Sequence, residues 1–453
     1  MGDAIVGKQA DNEVIVVGGG MAGAAAAVAA ARAGGRVLLI ERFAFLGGWA
    51  TAALVNPFMS HCTTDGQPLV GGLFAELRER LESSGGLLGN CFDPEQMKMV
   101  LQEMAIESGV NLRLHTLLCG AEVGDDGRIA VIAYSKSGRE RFTCRRLVDC
   151  SGDGDAAVSL GARFESGDAE GLPQAVTLMF DMGGVDLRRA LEYVRDHPDQ
   201  MRFPQLPRDA DPGRLAEGVV SVAGYYDLVA EARGRGEYEC PGDLIFYICR
   251  PRRGEVTFNT THIGGIDGTD ADDLTRAEIE GRRQMMSLAA FARKYVPGFE
   301  SAYVLRSPAH VGVRETRRVI GEYVFNAGDV VEGRKFDDAV CRLAYPVDVH
   351  TGRGEGYTRG EERVGPQAPP PGDWYEIPYR CLIPLDVENT LVAGRCISSS
   401  QAGHGAIRIM PSCAATGEAA GTAAAMSLAD GVSPRNLDGT AVRAALRDCG
   451  GIL

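Results

Sequence analysis

The hydrophobic pattern is clearest near the start of the chain, where two short apolar runs flank a glycine-rich turn. Val14–Val17 and Val37–Ile40 are uninterrupted apolar runs, which is typical of strands buried in a parallel sheet. Residues 21–31, which lie between these runs, are mostly small and apolar and predict a buried helix. The order strand, turn, helix, strand predicts the first unit of a Rossmann-like α/β sheet.

The turn itself has the G-x-G-x-x-G spacing, formed by Gly18, Gly20 and Gly23. These glycines allow a tight turn, close approach to a pyrophosphate, and close packing of the helix on the strand. The helix would begin near Met21 and direct its positive N-terminal end at the phosphates. Glu41 ends the second apolar run, where the ribose-binding acid of such a fold is expected. We therefore predict dinucleotide binding, with a glycine-rich structural turn as the alternative.

Three later segments are predicted to return to the same ligand. Residues 42–70 form a long loop that leaves the second strand, and long ordered loops are usually functional. Residues 146–150 predict a strand that ends in a second glycine turn, at 151–155. Residues 389–394 predict another short strand. The small residues of 406–430 then predict a long helix whose positive end would face the ligand.

The middle of the chain has a different composition. Charged helices are predicted at 187–195, 214–233 and 274–296, and strands at 244–249 and 255–261. A small antiparallel insert is predicted around residues 111–144. The fold class is thus α/β: a Rossmann-like cofactor domain with a central parallel sheet, helices and the antiparallel insert, and an inserted α+β substrate domain. The predicted units are 12–171 (cofactor domain, first part), 172–386 (substrate domain), 387–435 (cofactor domain, last strand and helix) and 436–453 (tail).

Composition and charge narrow the class of protein. The net charge of −14 over 453 residues argues against a nucleic-acid partner and offers no basic patch for a membrane. We expect no signal peptide and no membrane span, because no apolar stretch has the required length and flanks. The 12 cysteines form no C-x-x-C pair, which disfavours a redox disulfide, a zinc site or an iron–sulfur site, so no metal is predicted. Reduced thiols in a cytoplasmic protein are the simplest interpretation.

Several residues are candidates for proton transfer or anion binding. His350 follows Asp348 by two residues, so on a strand the two side chains would share one face. His404 precedes the last helix, and His262 is a weaker candidate for the base. For each histidine the alternative is a structural hydrogen bond. Arginine forks bind carboxylates in bidentate fashion, and the candidates for this role are Arg314, Arg317 and Arg318. Their alternative is an ion-pair network with Glu315 and Glu322.

The chain as a whole resembles a bacterial family of FAD-dependent oxidoreductases that have a glutathione-reductase-type FAD-binding fold. The resemblance is carried from about residue 13 to 435 by ERFAFLGGWATAALVNPFM, DPEQMKMVLQEM, VDCSGDGDAAVSLGA, VGVRETRRVIGEY, YPVDVH, IPYRCLIP and LVAGRCIS…GAIRIMPSCAATGEAAGTAAA. It implies that the dinucleotide is FAD. The chain departs from the family pattern at Gln401, where a histidine is often found. The residues expected to contact FAD are Gly18, Gly20, Met21, Ala22, Gly23, Glu41, Arg42, Gly47, Gly48, Trp49, Ala50, Ser151, Gly152, Asp153, Gly394, Arg395 and Ile407.

The resemblance and the residues together predict an FAD-dependent dehydrogenase or oxidase. It would oxidise a small polar organic substrate by hydride transfer to flavin N5 and pass the electrons to oxygen or another acceptor. His350, His404, Arg314 and Arg317 are the predicted catalytic residues. The main alternative is an NAD(P)H-dependent flavin monooxygenase or a halogenase-like enzyme, although DWYEIP at 373–378 lacks the halogenase motif W-x-W-x-I-P. A non-enzymatic FAD-binding scaffold is a further alternative. The expected partner is a small molecule, with self-association into a homo-oligomer left open.

Overall fold

The computed structural model describes residues 12–356 and 367–453. The first elements are β1 (Val14–Val17), α1 (Met21–Arg32), β2 (Val37–Ile40), α2 (Gly72–Ser83), β3 (Leu87–Leu88), β4 (Cys91–Phe92), α3 (Pro94–Glu107), β5 (Asn111–Arg113), β6 (Thr116–Val123), β7 (Ile129–Ser135), β8 (Gly138–Cys144), β9 (Arg146–Asp149), α4 (Asp155–Ser159) and β10 (Phe164–Ser166). The middle elements are β11 (Phe180–Gly183), α5 (Leu187–Asp196), β12 (Met201–Phe203), α6 (Pro212–Leu215), β13 (Ser221–Gly224), α7 (Tyr226–Gly234), β14 (Ile245–Cys249), β15 (Val256–Phe258), α8 (Ala271–Tyr295) and β16 (Tyr303–Arg306). The last elements are β17 (Arg317–Val319), α9 (Ala327–Val331), β18 (Ala339–Leu343), β19 (Tyr375–Pro378), β20 (Thr390–Val392), α10 (Gln401–Ile407), α11 (Met410–Ala429) and α12 (Gly439–Asp448).

A five-stranded parallel sheet lies at the centre of the first region, in the order β20-β9-β1-β2-β5. The predicted apolar runs form its middle strands: every residue of β1, β2 and β9 is buried. Burial on both faces explains why β1 and β2 are continuous apolar runs rather than alternating ones. β20 joins the sheet from a point some 240 residues after β9 in the chain, so the middle region is an excursion from this sheet. The structure confirms the predicted Rossmann-like α/β fold class.

Helices α1 and α11 pack against each other because α11 has glycine at its contact points. An added Cβ on Gly417 would lie 2.0 Å from the Ala22 carbonyl oxygen, and one on Gly421 would lie 2.1 Å from that of Ala26. The small residues predicted to allow close packing therefore do so against another helix. This packing sets the N-terminal ends of the two helices side by side at the carboxyl edge of the sheet.

Two antiparallel sheets complete the main architecture. The predicted insert is a three-stranded meander, β6-β7-β8, which covers one face of the parallel sheet through a small apolar cluster. A six-stranded sheet in the order β12-β13-β14-β15-β11-β16 is backed by the long helix α8. β3–β4, β10–β17 and β18–β19 are two-stranded pairs.

The buried side chains form two large apolar cores that divide the chain. One core draws on residues 14–162 and 319–453, and the other on residues 176–313. The predicted domain bounds at 171, 386 and 435 remain predictions. We propose that the substrate domain ends near Val313, because residues from Val319 onward pack into the core of the parallel sheet.

Three local predictions are wrong. Residues 214–233 are not one helix but α6, β13 and α7; the β-branched valines at 219, 220 and 222 favour the strand in between. Residues 406–430 are interrupted after α10, because Pro411 is suited to the first turn of a new helix. Residues 345–350 have irregular backbone rather than a strand.

The described helices also bear on the predicted lack of a membrane span. Within residues 12–356 and 367–453, none combines the length and apolar character that a bilayer crossing requires. The expected absence of a signal peptide concerns residues 1–11, which lie outside the described part of the chain.

Candidate functional site

A single cavity of about 520 Å³ lies between the carboxyl edge of the parallel sheet and one face of the six-stranded sheet. It collects most of the residues predicted to contact the cofactor. Those that line it are Gly18, Gly20, Met21, Ala22, Glu41, Arg42, Gly47, Gly48, Trp49, Ala50, Ser151, Gly152, Asp153, Gly394 and Arg395. Gly23 and Ile407 do not line it: Gly23 packs against the turn, and Ile407 is 1% exposed at the end of α10.

The three glycines of the first turn differ in what surrounds them. An added Cβ would lie 2.4 Å from the Cys150 carbonyl oxygen at Gly18, and 1.7 Å from the Gly18 carbonyl oxygen at Gly23. At Gly20 it would meet only the Gly48 Cα, at 3.7 Å. The first and third glycines are therefore required by the protein's own packing. The second leaves open space on the cavity side, where a pyrophosphate would approach the backbone.

Glu41 is buried beside this turn and fixes its shape. Its Oε2 accepts a hydrogen bond from the Gly19 N–H at 2.6 Å, and its Oε1 accepts one from the Phe43 N–H at 2.7 Å. Burial raises the pKa of Glu41, and these two hydrogen bonds act in the opposite direction. Each carboxylate oxygen has a further lone pair. Glu41 can thus hold the turn and still accept a bond from a ribose hydroxyl.

The second glycine turn is held by a buried aspartate that the sequence analysis did not single out. Asp149, at the end of β9, accepts hydrogen bonds from the Ser151 and Ala157 N–H groups at 2.9 and 2.8 Å. Beyond the turn, Asp153 Oδ1 accepts bonds from the Arg395 guanidinium at 2.6 Å and the Thr316 hydroxyl at 2.7 Å. Arg395 is thereby tied to the turn at 151–155, and both lie on the cavity wall.

These residues fit an FAD molecule. The N-terminus of α1 has no side-chain cap among the described residues, and Gly20, Met21 and Ala22 at this end of the helix line the cavity. Its first N–H groups are therefore available to a ligand. α11 likewise begins without a side-chain cap from the described residues, and Met410 and Cys413 of its first turn line the cavity. Two helix N-termini at one elongated cavity suit a ligand with a pyrophosphate and a second electron-rich group. Phosphates would lie at Gly18–Gly20, and the flavin ring nearer α11.

A cluster of polar side chains lines the same cavity on the side of residues 345–350. The Tyr345 hydroxyl donates to Asp348 Oδ2 at 3.1 Å, and His350 Nε2 lies 3.5 Å from the same oxygen. Arg408 Nη2 donates to the Asp348 carbonyl oxygen at 2.9 Å. The His350 backbone N–H donates to Gln174 Oε1 at 2.9 Å. The predicted pairing of Asp348 and His350 is therefore present, although the segment is not a strand.

His350 has a low pKa. Burial lowers the pKa to about 4, the positive charge of Arg314 acts in the same direction, and the Asp348 carboxylate opposes both. The imidazole is therefore neutral at pH 7 and able to accept a proton. Arg314, which also lines the cavity, donates from Nη1 to the Ala175 carbonyl oxygen at 2.5 Å.

His404 and Arg317, the remaining predicted catalytic residues, do not line the cavity, and neither does Arg318. His404 is fully buried, its Nε2 lies 3.1 Å from the Arg395 carbonyl oxygen, and burial keeps its pKa well below the usual value. Arg317 pairs with Asp155 at 3.1 Å. Arg318 pairs with buried Glu315, as the ion-pair alternative expected. Glu315 Oε2 also accepts a bond from Gln401, at 3.0 Å, so the residue that departs from the family pattern is part of this network.

His262 is also held away from the cavity wall. It is buried, its Nδ1 lies 3.0 Å from the Thr260 carbonyl oxygen, and burial lowers its pKa to about 3. Its ring lies against that of His350, with the centroids 5.7 Å apart. Of the histidines proposed as bases, His350 is the one that lines the cavity.

Sequence reasoning missed the residues that the six-stranded sheet contributes. Phe246 and Ile248 of β14 line the cavity, whereas Tyr247 between them is fully buried in the core. That alternation was the available signal, since a strand directs successive side chains to opposite faces. Nothing in the sequence indicated which face would meet the cofactor domain. The other cavity residues missed in this way are Thr177, Met179, Arg202, Phe203, Ala223 and Asn259.

Comparison with known proteins identifies the family of the chain. Residues 13–446 match the model of a family described as FAD dependent oxidoreductase. The chain belongs to this family, which makes it an FAD-dependent enzyme. No curated protein matches the sequence.

Solved structures resemble the chain only distantly. They include a p-nitrophenol 4-monooxygenase PnpA from Pseudomonas putida DLL-E4 (12% identity, 94% of this chain and 83% of that chain, TM-score 0.46). Another is a geranylgeranyl bacteriochlorophyll reductase-like protein from Thermoplasma acidophilum (11%, 94% and 80%, TM-score 0.44). A third is the myxobacterial chondrochloren halogenase CndH (11%, 96% and 78%, TM-score 0.44). Likenesses this distant do not bear on the substrate.

Proposed function

We propose that this member of the FAD-dependent oxidoreductase family is a dehydrogenase or oxidase that acts on a small polar organic substrate. The substrate carries a hydroxyl group on the carbon that is oxidised. The observation that carries the proposal is that the Asp348–His350 pair lines the same cavity as the glycine turns. Oxidation of an alcohol needs a group that removes the hydroxyl proton. A neutral, oriented imidazole on the cavity wall is suited to that task.

The chain's own residues account for the proton. His350 would accept the hydroxyl proton of the substrate, because its imidazole is neutral at pH 7. The low pKa also makes the imidazole a weak base, so the transfer depends on the Asp348 carboxylate, which raises that pKa. Asp348 would orient the ring and stabilise the imidazolium that forms, as the acid of a triad does. Tyr345 and Arg408 hold Asp348 in place through their hydrogen bonds. When bound, FAD supplies the hydride acceptor, at flavin N5.

An alcohol fits these surroundings better than an amine. Arg314 and Arg408 both lower the pKa of His350, and the Asp348 carboxylate opposes them. An ammonium group would be repelled by the two guanidinium groups, whereas a neutral hydroxyl would not. We accordingly assign Arg314 to orienting a polar or anionic group of the substrate.

The cofactor contacts follow from the lining residues. Gly18, Gly20 and the N–H groups of Met21 and Ala22 would hold the pyrophosphate, and Glu41 the ribose. The remaining residues of the predicted set that line the cavity would follow the dinucleotide toward α11; they are Arg42, Gly47, Gly48, Trp49, Ala50, Ser151, Gly152, Asp153, Gly394 and Arg395. Gly23 and Ile407 would support the site from behind it.

An NAD(P)H-dependent flavin monooxygenase or halogenase-like enzyme is the competing function, and anaerobic reduction separates the two. The FAD-loaded protein is mixed with a panel of alcohols, and separately with NADH and NADPH, while flavin absorbance is recorded. We expect bleaching by an alcohol without a nicotinamide. Fast bleaching by NADPH and none by any alcohol would overturn the proposal in favour of the competing function.

The proposal also includes the fate of the electrons. Electrons would pass to oxygen or another acceptor. A cytoplasmic location, the absence of a nucleic-acid partner and the question of a homo-oligomer stay predictions from composition.

A further inference from the structure

One row of side chains crosses the face of the six-stranded sheet that forms the cavity floor. In the antiparallel register Ala223 pairs with Phe246, and Phe203 pairs with Ala223. The pairs Phe180–Phe258 and Tyr247–Phe258 place Asn259, the next residue, between Met179 and Phe246. The Asn259 N–H donates to the Phe246 carbonyl oxygen at 2.9 Å, in agreement with that register. All five members of the row line the cavity: Met179, Asn259, Phe246, Ala223 and Phe203.

Four members of the row are apolar, and the fifth, Asn259, is polar. The rings of Phe203 and Phe246 meet edge to face, with centroids 5.5 Å apart, and Phe203 is 38% exposed. Aromatic rings prefer such edge-to-face or offset contacts with further rings. The two phenylalanines and Met179 therefore form an apolar floor that suits a flat ring.

Asn259 is the polar exception in this floor. Its Oδ1 is buried and has no hydrogen-bond partner within residues 12–356 and 367–453. A buried acceptor without a partner is costly, and such groups in native structures usually serve a ligand or a bound water. The hydroxyl of Thr177, another cavity residue, is buried without a partner among the described residues too.

We propose that this row is the substrate-recognition surface and that the substrate carries a ring bearing a hydroxyl or N–H group. The ring would lie on Phe203 and Phe246, and its hydroxyl or N–H would donate to Asn259 Oδ1. This inference rests on the proposed oxidation at His350, which lines the same cavity. For a hydroxybenzyl alcohol, the carbinol hydride would pass to FAD and the hydroxyl proton to His350, which leaves an aldehyde.

The test compares two ring compounds that differ in one hydrogen-bond donor. 4-Methylphenol and 4-methylanisole have similar rings, and neither carries an oxidisable carbinol. Their binding to the FAD-loaded protein is measured by calorimetry. Because an unmet buried acceptor is costly, we expect 4-methylphenol to bind roughly 5- to 150-fold more tightly. Equal affinities, or no binding of either compound, would overturn the inference.

Two variants assign the preference to one side chain. Asn259→Leu removes the acceptor, keeps the branching at Cγ and should abolish the preference for 4-methylphenol. Ile279→Leu is the control, since Ile279 is exposed on α8, does not line the cavity and carries no polar group; its preference should equal that of the wild type. A preference that survives in Asn259→Leu would assign recognition elsewhere and overturn the inference. The comparison in the wild-type protein stands if Asn259→Leu fails to fold.

Binding and reduction distinguish this inference from the proposed function. If binding depends on Asn259 but no alcohol bleaches the flavin, the recognition surface stands and the dehydrogenase proposal fails. If 4-hydroxybenzyl alcohol and 4-methoxybenzyl alcohol bleach the flavin equally well, the dehydrogenase proposal stands and the role of Asn259 fails.

Discussion

The two ends of the cavity are built in different ways. At the glycine turns the wall is mainly backbone, and its shape is set by packing: the Cβ positions of Gly18 and Gly23 are closed by carbonyl oxygens. At the other end the wall is made of side chains, among them His350 and Asn259, which come from segments far apart in the chain. At Gly18 and Gly23 the first end has no room for a larger residue, whereas the second end can change its ligand by exchanging one side chain.

This difference separates cofactor binding from substrate choice. A pyrophosphate is recognised by N–H groups that every residue carries, so the protein has only to supply the right backbone path. A substrate is recognised by a few placed polar groups on an apolar surface. Substitutions at the packing glycines of the cofactor end should therefore prevent folding, whereas substitutions at the substrate end should change rate or affinity in a protein that still folds.

The largest expected effect is at the cofactor end, in Gly23→Ala. The new Cβ would lie 1.7 Å from the Gly18 carbonyl oxygen, so strand, turn and helix cannot keep their positions. We expect a loss of stability of about 4 kcal/mol or more, seen as insoluble protein or as a much lower thermal unfolding temperature and loss of bound FAD.

Gly20→Ala is the matched control within the same turn. Its Cβ would meet the Gly48 Cα at 3.7 Å, an ordinary contact, so the apoprotein should unfold close to the wild-type temperature. FAD affinity should still fall, because the methyl group points into the space of the pyrophosphate. If both variants unfold alike, the distinction between packing glycine and ligand glycine is wrong.

The next effect is at the substrate end, in His350→Ala. Removing the proposed base should slow anaerobic flavin reduction by about 100- to 10,000-fold, the usual contribution of general-base catalysis, with FAD content unchanged. Stopped-flow absorbance checks the rate, and the flavin spectrum of the purified protein checks the content.

His197→Ala is the control for His350→Ala. His197 stacks on Tyr193 with ring centroids 4.0 Å apart and is exposed, outside the cavity. It should leave the reduction rate unchanged. If the flavin of His350→Ala is reduced at the wild-type rate, His350 is not the base, and the assignment of FAD is unaffected.

The same contrast explains what sequence reasoning could predict. The turns at 18–23 and 151–155 follow from local spacing, because glycine, strand and helix signals lie within a few residues of each other. The Asp348–His350 pair was also local and was found, although the expected strand was wrong. Asn259, Phe203 and Phe246 were missed because their meeting depends on the register of a sheet whose strands are separated by loops and helices. Periodicity marks one face of each strand, but it does not say what that face meets.

A smaller effect should come from Asp348→Asn. The Asp348 carboxylate raises the pKa of His350 against burial and Arg314. Its loss leaves the imidazolium less stable, so flavin reduction should slow by roughly 10- to 100-fold.

The pH profile of flavin reduction gives a second readout for Asp348→Asn. His350 must be neutral to accept a proton, so the wild-type rate should hold above pH 6 and fall as the pH drops through about 4. In Asp348→Asn that fall should move to lower pH. If the pH profile is the same in Asp348→Asn and the wild type, the fall in rate at low pH is caused by protonation of a group other than His350.

The smallest effect concerns a titrating side chain that is buried between α11 and α2, outside the cavity lining. Glu418 of α11 is 6% exposed, and its Oε2 accepts a hydrogen bond from the Leu73 N–H, in the first turn of α2, at 3.0 Å. Burial raises its pKa from 4.5 to about 7. Between pH 4.5 and 7 the unfolded chain releases this proton while the folded chain keeps it, so the folded state loses stability as the pH rises across that interval.

Glu418→Gln keeps an oxygen for the Leu73 N–H and removes the buried charge. At pH 8 we expect the variant to be more stable than the wild type by about 1–3 kcal/mol in urea unfolding, with the difference shrinking toward pH 4.5. Glu79→Gln, an exposed change on α2, should show no such trend. A Glu418→Gln protein that is less stable at pH 8 would mean that attraction between the carboxylate and the N-terminus of α2 outweighs the cost of burial. The contact between α11 and α2 would then depend on a side-chain charge as well as on apolar packing.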